Sequence, residues 1–332
     1  MDKLARLPAE DRRDIFIEAA ARLGIRPTIT EKDFWVCVVL KLLFEKSRFG
    51  ESLVFKGGTS LSKAYGLIER FSEDIDLVLD WQLIGFGAGL KDALQNFDSK
   101  TKQDQFNKQI NRLAAAYIAE TLAPELDDLF RNENVGLSAA VDPGDPHVVN
   151  IRYPAAFSEA YISPEVRLEV GPLGSWVPST IQAIRPYAFG VLPDIFENPD
   201  CKVLTIAPER TFWEKATILH KEAHRKTQIP QRFSRHYYDL YKLAISPVRI
   251  AAFADLTLLQ EVVSFKQRFY PVNWARYDLA LPGSFRLLPT TTTHTRELEL
   301  DYRDMQLMIF GHAPDFRQIM DGLAELEKQI NA

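Results

Sequence analysis

The sequence predicts an α+β protein in which mixed helices and strands precede a helical C-terminal region. Three observations support this prediction. Short apolar segments of strand character alternate with helical patterns over residues 1–205, whereas every strong pattern after Pro208 is helical. The composition, with 46% hydrophobic and 26% charged residues, is that of a globular protein, and the length of 332 residues suits about two domains. We therefore expect two domains, residues 1–205 and residues 206–332.

The first elements follow from hydrophobic periodicity and from helix start and stop signals. Residues 9–23 carry apolar side chains at helical spacing, and Gly24 ends that helix. Thr30-Glu31-Lys32-Asp33 resembles a capping box with Asp in place of Glu, so we expect a second helix from there through Phe44. The short apolar segment 52–55 predicts a strand.

The segment that follows predicts a turn and a second strand. Residues 56–60, Lys-Gly-Gly-Thr-Ser, indicate a tight turn before a short helix over 61–67. Asp74, Asp76 and Asp80 alternate with apolar residues, as in a half-buried strand. Residues 82–100 are expected to form a loop. Further strands are predicted at 148–153, 166–170 and 202–206, and further helices at 102–130, 209–226, 235–246, 249–270 and 301–330.

Charge and cysteine content exclude several classes of protein. The formal net charge of −5 excludes a protein that coats nucleic acid by bulk positive charge, although it leaves room for a local basic site. The two cysteines, Cys37 and Cys201, are too few for a disulfide framework and fit a reducing compartment. Neither a secretory signal nor a membrane span is predicted, because the longest apolar stretch, 34–44, is short and contains Lys41. A cytoplasmic location is expected.

The pair Asp74 and Asp76 is the strongest candidate for chemistry. Residues at i and i+2 of a strand point to the same face, so the two carboxylates would repel each other unless a cation lies between them. Mg²⁺ or Mn²⁺ suits such oxygens, with phosphate oxygens completing its shell. The upstream Gly57-Gly58-Thr59-Ser60 turn would offer unobstructed backbone N–H groups to phosphate. The structural alternative is an acidic strand edge beside an unrelated glycine turn, and the combination of the two motifs favours the functional interpretation.

Two single residues are further candidates. Glu169 lies between apolar residues of a predicted strand, where it would be either the third carboxylate of a phosphoryl-transfer site or a charged residue on the solvated face of an edge strand. Lys215 lies near the start of the helix predicted after Pro208. It would either aim its ammonium at a phosphate or be a surface lysine paired with Thr211 or Glu214.

Residues 220–236 hold a local excess of positive charge. Five Lys and Arg residues oppose the single acid Glu222, so the segment carries a net charge of +4 with its histidines neutral. The segment would bind a polyanion or a triphosphate, or it would be a solvated helix end and loop. The basic residues are Lys221, Arg225, Lys226, Arg232 and Arg235.

The segments Phe55–Tyr65 and Phe71–Leu77 closely resemble the AbiEii/AbiGii toxin family, which consists of nucleotidyltransferase-like toxins of bacterial toxin–antitoxin and abortive-infection systems and includes the MenT toxins. The resemblance implies a nucleotidyltransferase-like mixed sheet flanked by helices. One feature departs from the wider superfamily, because fifteen residues separate Gly58 from Asp74. The resemblance extends to Thr30–Val36, Glu209–Lys215, Arg235–Leu240 and Leu300–Met305.

The resemblance also implies a set of site residues. The phosphate turn falls on Gly57, Gly58, Thr59 and Ser60, the metal carboxylates on Asp74 and Asp76, the essential lysine on Lys215 and the distal aspartate on Asp239. Arg235 precedes Asp239 by four residues, so it would hold that aspartate or reach the triphosphate. Glu169 or Asp239 would serve as base for the attacking hydroxyl.

The implied reaction is Mg²⁺-dependent transfer of a nucleoside monophosphate from an NTP, with release of pyrophosphate. The implied acceptor is RNA, specifically the 3′ end of tRNA, with Arg225, Lys226 and Arg232 as RNA-binding residues and a cognate antitoxin as partner. Two alternatives are transfer to a small molecule or protein, and a toxin that binds NTP without covalent transfer. The basic segment favours RNA because a small acceptor needs no such surface, and the intact Asp pair disfavours the last alternative.

Overall fold

Residues 1–86, 99–157 and 163–332, apart from the side chain of Leu307, are described by the computed structural model of the chain. Most of the predicted loop at 82–100 lies outside these residues. Seven strands of the described chain form one mixed sheet in the order β3-β4-β5-β2-β1-β7-β6. The strands are β1 (Leu53–Lys56), β2 (Asp74–Leu79), β3 (Ser138–Val141), β4 (Val148–Arg152), β5 (Glu165–Gly171), β6 (Ser179–Ile184) and β7 (Cys201–Ile206).

Helices accompany the sheet and make up most of the C-terminal part, so the predicted α+β class is confirmed. The helices up to residue 133 are α1 (Asp2–Ala5), α2 (Ala9–Leu23), α3 (Pro27–Lys41), α4 (Gly57–Lys63), α5 (Lys100–Tyr117) and α6 (Ala123–Glu133). The later helices are α7 (Pro208–Ala223), α8 (Ser234–Ala244), α9 (Val248–Ala254), α10 (Leu256–Phe269), α11 (Thr292–Met305) and α12 (Phe316–Asn331). None of the helices in the described part of the chain has the length and apolar character needed to cross a bilayer.

The described chain forms two compact units. The first unit consists of Met1–Ala64 and Phe71–Ile206, and the second consists of Tyr65–Arg70 and Ala207–Ala332. In the second unit, α7 packs against α8, α9 and α10, and α8 packs against α11 and α12. The segment Tyr65–Arg70 lies between α4 and β2 in sequence but belongs to the second unit, where the Glu69 carbonyl accepts a hydrogen bond of 2.7 Å from the Phe310 amide. The domain division at residue 205 stays a prediction.

Helix α3 begins earlier than the sequence predicts. It starts at Pro27, whose fixed φ suits the first turn of a helix and whose missing N–H costs nothing there. Thr30 therefore lies inside the helix, where its hydroxyl donates a 3.4 Å hydrogen bond to the Arg26 carbonyl, so the predicted capping box is wrong. All residues from Thr28 to Lys41 are buried, and α3 packs against both β5 and β7. Helix α3 is thus a central helix of the first unit.

Other boundaries differ from the prediction for local reasons. The edge strands β3 and β6 lack the regular burial of alternate residues that makes β2 recognisable, so periodicity does not predict them. Helix α4 begins at Gly57, inside the predicted turn. The helix predicted over 249–270 is two helices, because the Asp255 side chain accepts a 3.0 Å hydrogen bond from the Thr257 amide and caps α10. The helix predicted over 301–330 is interrupted between α11 and α12.

Candidate active site

The two predicted metal carboxylates lie on one face of β2. Burial alternates along this strand, so that Ile75 and Leu77 are buried whereas Asp74 and Asp76 are partly exposed. Parallel pairing of β2 with β5 sets Asp76 opposite Glu169. Because residues directly opposite each other in a sheet share a face, Glu169 is on the same face as the two aspartates. Three carboxylates that the sequence singles out thus lie on one face of the sheet in the first unit.

The phosphate turn and Asp76 approach each other so closely that only glycine fits between them. Gly57 has a φ of +83°, and a Cβ at this position would lie 1.8 Å from Asp76 Oδ2. A left-handed φ alone favours glycine, and the overlap with a carboxylate excludes any side chain unless Asp76 moves. The backbone at the start of α4 therefore forms one wall of the space that the Asp76 carboxylate occupies.

The hydroxyls of the turn bind main-chain carbonyls. The buried Thr59 hydroxyl donates a 2.5 Å hydrogen bond to the Asp74 carbonyl, which connects α4 to the first residue of β2. The buried Ser60 hydroxyl donates to the Gly57 carbonyl at 2.9 Å. Both side chains therefore hold the turn in place, while the backbone N–H groups of Gly57 and Gly58 begin the helix.

Arg167 is a charged residue of this face that is not among the predicted site residues. It lies opposite Asp74 in the pairing of β2 with β5, and its Nε is 3.8 Å from Asp74 Oδ1. Its Nη1 is 3.5 Å from Asp142 Oδ2. The alternation that places Glu169 on the polar face also places Arg167 there, so the strand period was an available signal.

The donor set of the first unit fits Mg²⁺. Magnesium prefers hard oxygen ligands, and in phosphoryl-transfer sites it commonly takes one or two protein carboxylates and completes its shell with water and phosphate. Asp74 and Asp76 supply two carboxylates on one face, and Gly57 leaves room for one of them. Among the described residues, no group of three or more His, Cys, Asp and Glu side chains is arranged to hold a metal ion. The two aspartates are therefore the residues of this face that would hold the ion.

Asp239 forms the centre of a buried ion cluster in the second unit. Its side chain is fully buried and binds Arg70 through two hydrogen bonds, Nε to Oδ1 at 2.7 Å and Nη2 to Oδ2 at 2.8 Å. Lys215 Nζ lies 2.8 Å from Oδ2. Burial disfavours the ionised carboxylate, but Arg70 and Lys215 outweigh it and hold the pKa of Asp239 far below its usual value. Asp239 is thus ionised at neutral pH and lies between two cations.

Lys215 is buried, so the alternative of a surface lysine paired with Thr211 or Glu214 is wrong. Burial lowers the pKa of the Lys215 ammonium, and Asp239 opposes that shift. Lys215 Nζ also lies 3.0 Å from Nδ1 of His236. Burial and the positive charge of Lys215 keep the pKa of His236 well below its usual value, so this ring is neutral and its Nδ1 accepts from the ammonium. Two acceptors, Asp239 and His236, therefore orient Lys215.

Arg70 and His236 belong to the cluster although neither is among the predicted site residues. Arg70 follows Glu69 and precedes Phe71, and this local sequence gives no sign of a buried arginine. Arg235 does not hold Asp239, because the aspartate oxygens bind Arg70 and Lys215 instead. Within the described residues the Arg235 side chain makes no hydrogen bond or ion pair, and it is only partly buried.

The basic segment 220–236 is less basic at its surface than its sequence suggests. Arg225 forms two hydrogen bonds with the buried Glu222, one of them 3.1 Å from Nη2 to Oε1, and its guanidinium lies 4.6 Å from the ring centre of Trp274. Lys221 Nζ is 3.2 Å from the same Glu222 oxygen. Lys226 and Arg232 are exposed. Glu222 therefore compensates part of the local charge, and Lys226 is the residue of this segment most open to a polyanion.

The buried environment of His220 predicts that the second unit is less stable in acid. Its Nδ1 accepts from the Arg286 amide at 3.1 Å and its Nε2 lies 2.9 Å from the Arg276 carbonyl, so the neutral ring satisfies both contacts. Burial is the main cause that lowers the pKa of His220 from 6.5 to about 4. Between pH 6.5 and pH 4, His220 is therefore protonated in the unfolded chain but neutral in the folded chain. The free energy of unfolding falls as the pH decreases through this range.

We expect the free energy of unfolding to decrease by about 2 kcal/mol between pH 7 and pH 5 because of His220 alone. Urea unfolding of wild type and His220→Gln at both pH values measures it. The variant is less stable at pH 7 but should lose less stability on acidification. Equal losses in both proteins would show that His220 does not carry the effect.

Comparison with known proteins identifies the family. The family model described as "Nucleotidyl transferase AbiEii toxin, Type IV TA system" matches residues 41–322. The chain belongs to the AbiEii toxin family. This AbiEii-family toxin is accordingly a nucleotidyltransferase of a toxin–antitoxin system, for which an NTP is the substrate and an antitoxin is the partner.

The toxin is similar to MenT4, a nucleotidyltransferase toxin from Mycobacterium tuberculosis H37Rv, with 17% identity and a TM-score of 0.41 over 94% of this chain and 98% of that chain. No curated protein sequence matches the chain.

Proposed function

We propose that this AbiEii-family toxin transfers a nucleoside monophosphate from an NTP to RNA, at the 3′ end of tRNA, and releases pyrophosphate. The observation that carries this proposal is the close approach of Gly57 to the Asp76 carboxylate. It sets a phosphate-binding backbone beside a carboxylate that has a second aspartate on the same strand face. Blocking the 3′ end of tRNA would stop translation and arrest growth.

In the first unit, Asp74 and Asp76 are the residues that would hold Mg²⁺. The metal, when bound, would neutralise charge that develops on the triphosphate. The Gly57, Gly58, Thr59 and Ser60 turn would bind phosphate oxygens through its backbone N–H groups. Glu169 is exposed and lies opposite Asp76, which supports it as the group that accepts the proton of the attacking hydroxyl.

In the second unit, the contacts of Asp239 support a positioning role. A general base must have a lone pair free for the proton and a pKa near the working pH. Asp239 has Arg70 and Lys215 on its oxygens and a pKa far below its usual value. We therefore assign the base to Glu169 and assign Asp239, with Arg70, to the orientation of Lys215. The Lys215 ammonium and Arg235 would neutralise negative charge on the triphosphate.

The RNA-binding assignment of Arg225, Lys226 and Arg232 predicts a change in salt dependence. Each phosphate contact contributes roughly 0.7–0.9 to the slope of log K against log salt concentration. Because Glu222 already compensates Arg225, we expect the triple Ala variant to flatten the slope for tRNA by about two units. Fluorescence anisotropy of labelled tRNA at several salt concentrations measures the slope.

A triple Ala variant of Arg303, Arg317 and Lys328 is the matched control for that experiment. These three cations are exposed in the same unit and lie outside the basic segment. The control should keep the wild-type slope. An unchanged slope in the first variant would remove Arg225, Lys226 and Arg232 from the RNA interface.

The acceptor class is tested directly by labelling. The purified toxin is incubated with each α-labelled NTP and Mg²⁺, in the presence of total RNA or of total protein. Label in tRNA, located at the 3′ end by sequencing, is the expected result. Label in protein or in a small molecule would replace the RNA proposal, and NTP binding without any labelled product would indicate a toxin that acts without covalent transfer.

A further inference from the structure

Helix α3 carries three consecutive charged residues that are all buried. Glu31, Lys32 and Asp33 are each about 2% exposed. Burying a charge without a partner is costly, so such a run persists only if each member is paired. The three side chains reach three different elements of the first unit, and two of these elements carry the predicted site.

Asp33 holds the end of α4. Its Oδ1 lies 2.6 Å from Nζ of Lys63, the last residue of α4, and its Oδ2 accepts a 2.6 Å hydrogen bond from the Tyr187 amide. Lys63 Nζ also donates to the Arg185 carbonyl at 2.6 Å and lies 3.7 Å from the ring centre of Tyr187. The side chains of this ion pair are 3% and 2% exposed. The helix whose first residues form the phosphate turn is therefore anchored at its other end by Asp33.

Lys32 holds the start of β2. Its Nζ lies 2.7 Å from Oε2 of Glu73 and donates to the Ser163 carbonyl at 3.3 Å. Glu73 directly precedes Asp74, the first residue of β2. Glu31 makes a third contact of this kind, since its Oε1 accepts a 2.7 Å hydrogen bond from the Ala156 amide. Adjacent residues of one helix thus bind the elements that carry the turn and the Asp pair.

We propose that Lys32 and Asp33 are positioning residues that fix the Gly57–Ser60 turn relative to Asp74 and Asp76. This inference rests on the proposed function of those groups. The distance between the turn and Asp76 can vary little, because even one added Cβ at Gly57 would overlap with the Asp76 carboxylate. Anchoring α4 and β2 to neighbouring residues of the same buried helix keeps that separation constant.

Directional ion pairs suit this task better than apolar contacts. A buried ion pair often adds no net stability compared with a well-packed apolar pair, because desolvation offsets the attraction between the charges. Its hydrogen bonds, however, specify one distance and one direction. The pairs on α3 therefore serve the geometry of the site more than the stability of the fold, and this difference can be measured.

The test removes each ion pair as a whole. Asp33→Leu/Lys63→Met and Lys32→Met/Glu73→Met leave no uncompensated buried charge, so we expect both proteins to fold. The first variant also removes the side-chain partners of the Tyr187 amide and the Arg185 carbonyl, so we expect its Tm to fall slightly, whereas the Tm of the second should change little. Displacement of the turn should raise the Kd for a non-hydrolysable NTP in the first double variant by about 100-fold, with little change in Mn²⁺ affinity. Displacement of β2 should weaken Mn²⁺ binding more than NTP binding in the second. Calorimetry and Mn²⁺ electron paramagnetic resonance supply these readouts without any acceptor.

The double variant Arg48→Met/Glu125→Leu is the control. This exposed ion pair, with 2.6 Å between Arg48 Nη2 and Glu125 Oε1, lies in the same unit, and both of its residues lie outside α3, α4 and β2. It should alter neither constant. Wild-type constants in both α3 variants, or losses that parallel a fall in Tm, would overturn the inference. A wild-type protein that binds NTP and Mn²⁺ but labels no RNA would instead contradict the proposed function. The two binding constants would still test the positioning role of Lys32 and Asp33.

Discussion

Asp76→Ala is expected to lower the rate of nucleotide transfer by about 1,000-fold, which corresponds to about 4 kcal/mol of transition-state stabilisation. Asp76 is partly exposed, and its carboxylate lies beside the backbone of Gly57. Removing one of two carboxylates would take away the metal that offsets charge on the triphosphate. Single-turnover incorporation of labelled nucleotide measures the rate, and Mn²⁺ binding measures the loss of the ligand.

Asp194→Ala is the matched control for Asp76→Ala. Asp194 is an exposed aspartate of the same unit and makes no hydrogen bond or ion pair within the described residues. This variant should transfer nucleotide at the wild-type rate. If Asp76→Ala also retains that rate while folded, Asp76 is not a metal ligand.

Gly57→Ala is expected to reduce transfer by about 100-fold, because the new methyl group displaces the Asp76 carboxylate, which we propose as a metal ligand. The substitution adds a Cβ 1.8 Å from Asp76 Oδ2, at a backbone φ of +83°. The left-handed conformation itself costs roughly 1–2 kcal/mol for a residue other than glycine. Two effects are therefore expected, a modest loss of stability and a larger loss of activity. Urea unfolding and the transfer assay measure them separately.

Gly85→Ala is the control that separates the backbone strain of a positive φ from the overlap with Asp76. Gly85 has a nearly identical φ of +85°, but a Cβ there meets no atom of the described residues within 4 Å. This variant should lose similar stability and keep its activity. Equal activity of the two variants would show that the contact between Gly57 and Asp76 does not matter for the reaction.

The elements that the sequence predicts well depend on local patterns. The helix over residues 9–23 ends at Gly24, and the strand that contains Asp74 and Asp76 alternates buried and exposed residues, as expected. The start of α3 is mispredicted, since two local signals compete and Pro27 prevails over Thr30. Edge strands such as β6 escape prediction because their stability comes from pairing with a neighbour rather than from their own pattern.

The candidate-site residues that the sequence identifies are likewise those with a local signal. Gly57, Asp74 and Asp76 are identified from spacing alone, because strand parity and glycine turns are local properties. Arg70 is not identified, since its partner Asp239 lies 169 residues away in the chain. The choice between a surface and a buried Lys215 likewise depends on that partner.

The sequence by itself determined the α+β class, the shared face of Asp74 and Asp76, and the glycine turn before them. Each of these depends on backbone periods and φ preferences that act over a few residues. Only the tertiary structure decided that Asp239 is enclosed by Arg70 and Lys215, and that Lys32 and Asp33 anchor the elements of the site. Burial gives these charged groups their roles, because a charge removed from water must find its partner wherever the folded chain supplies one.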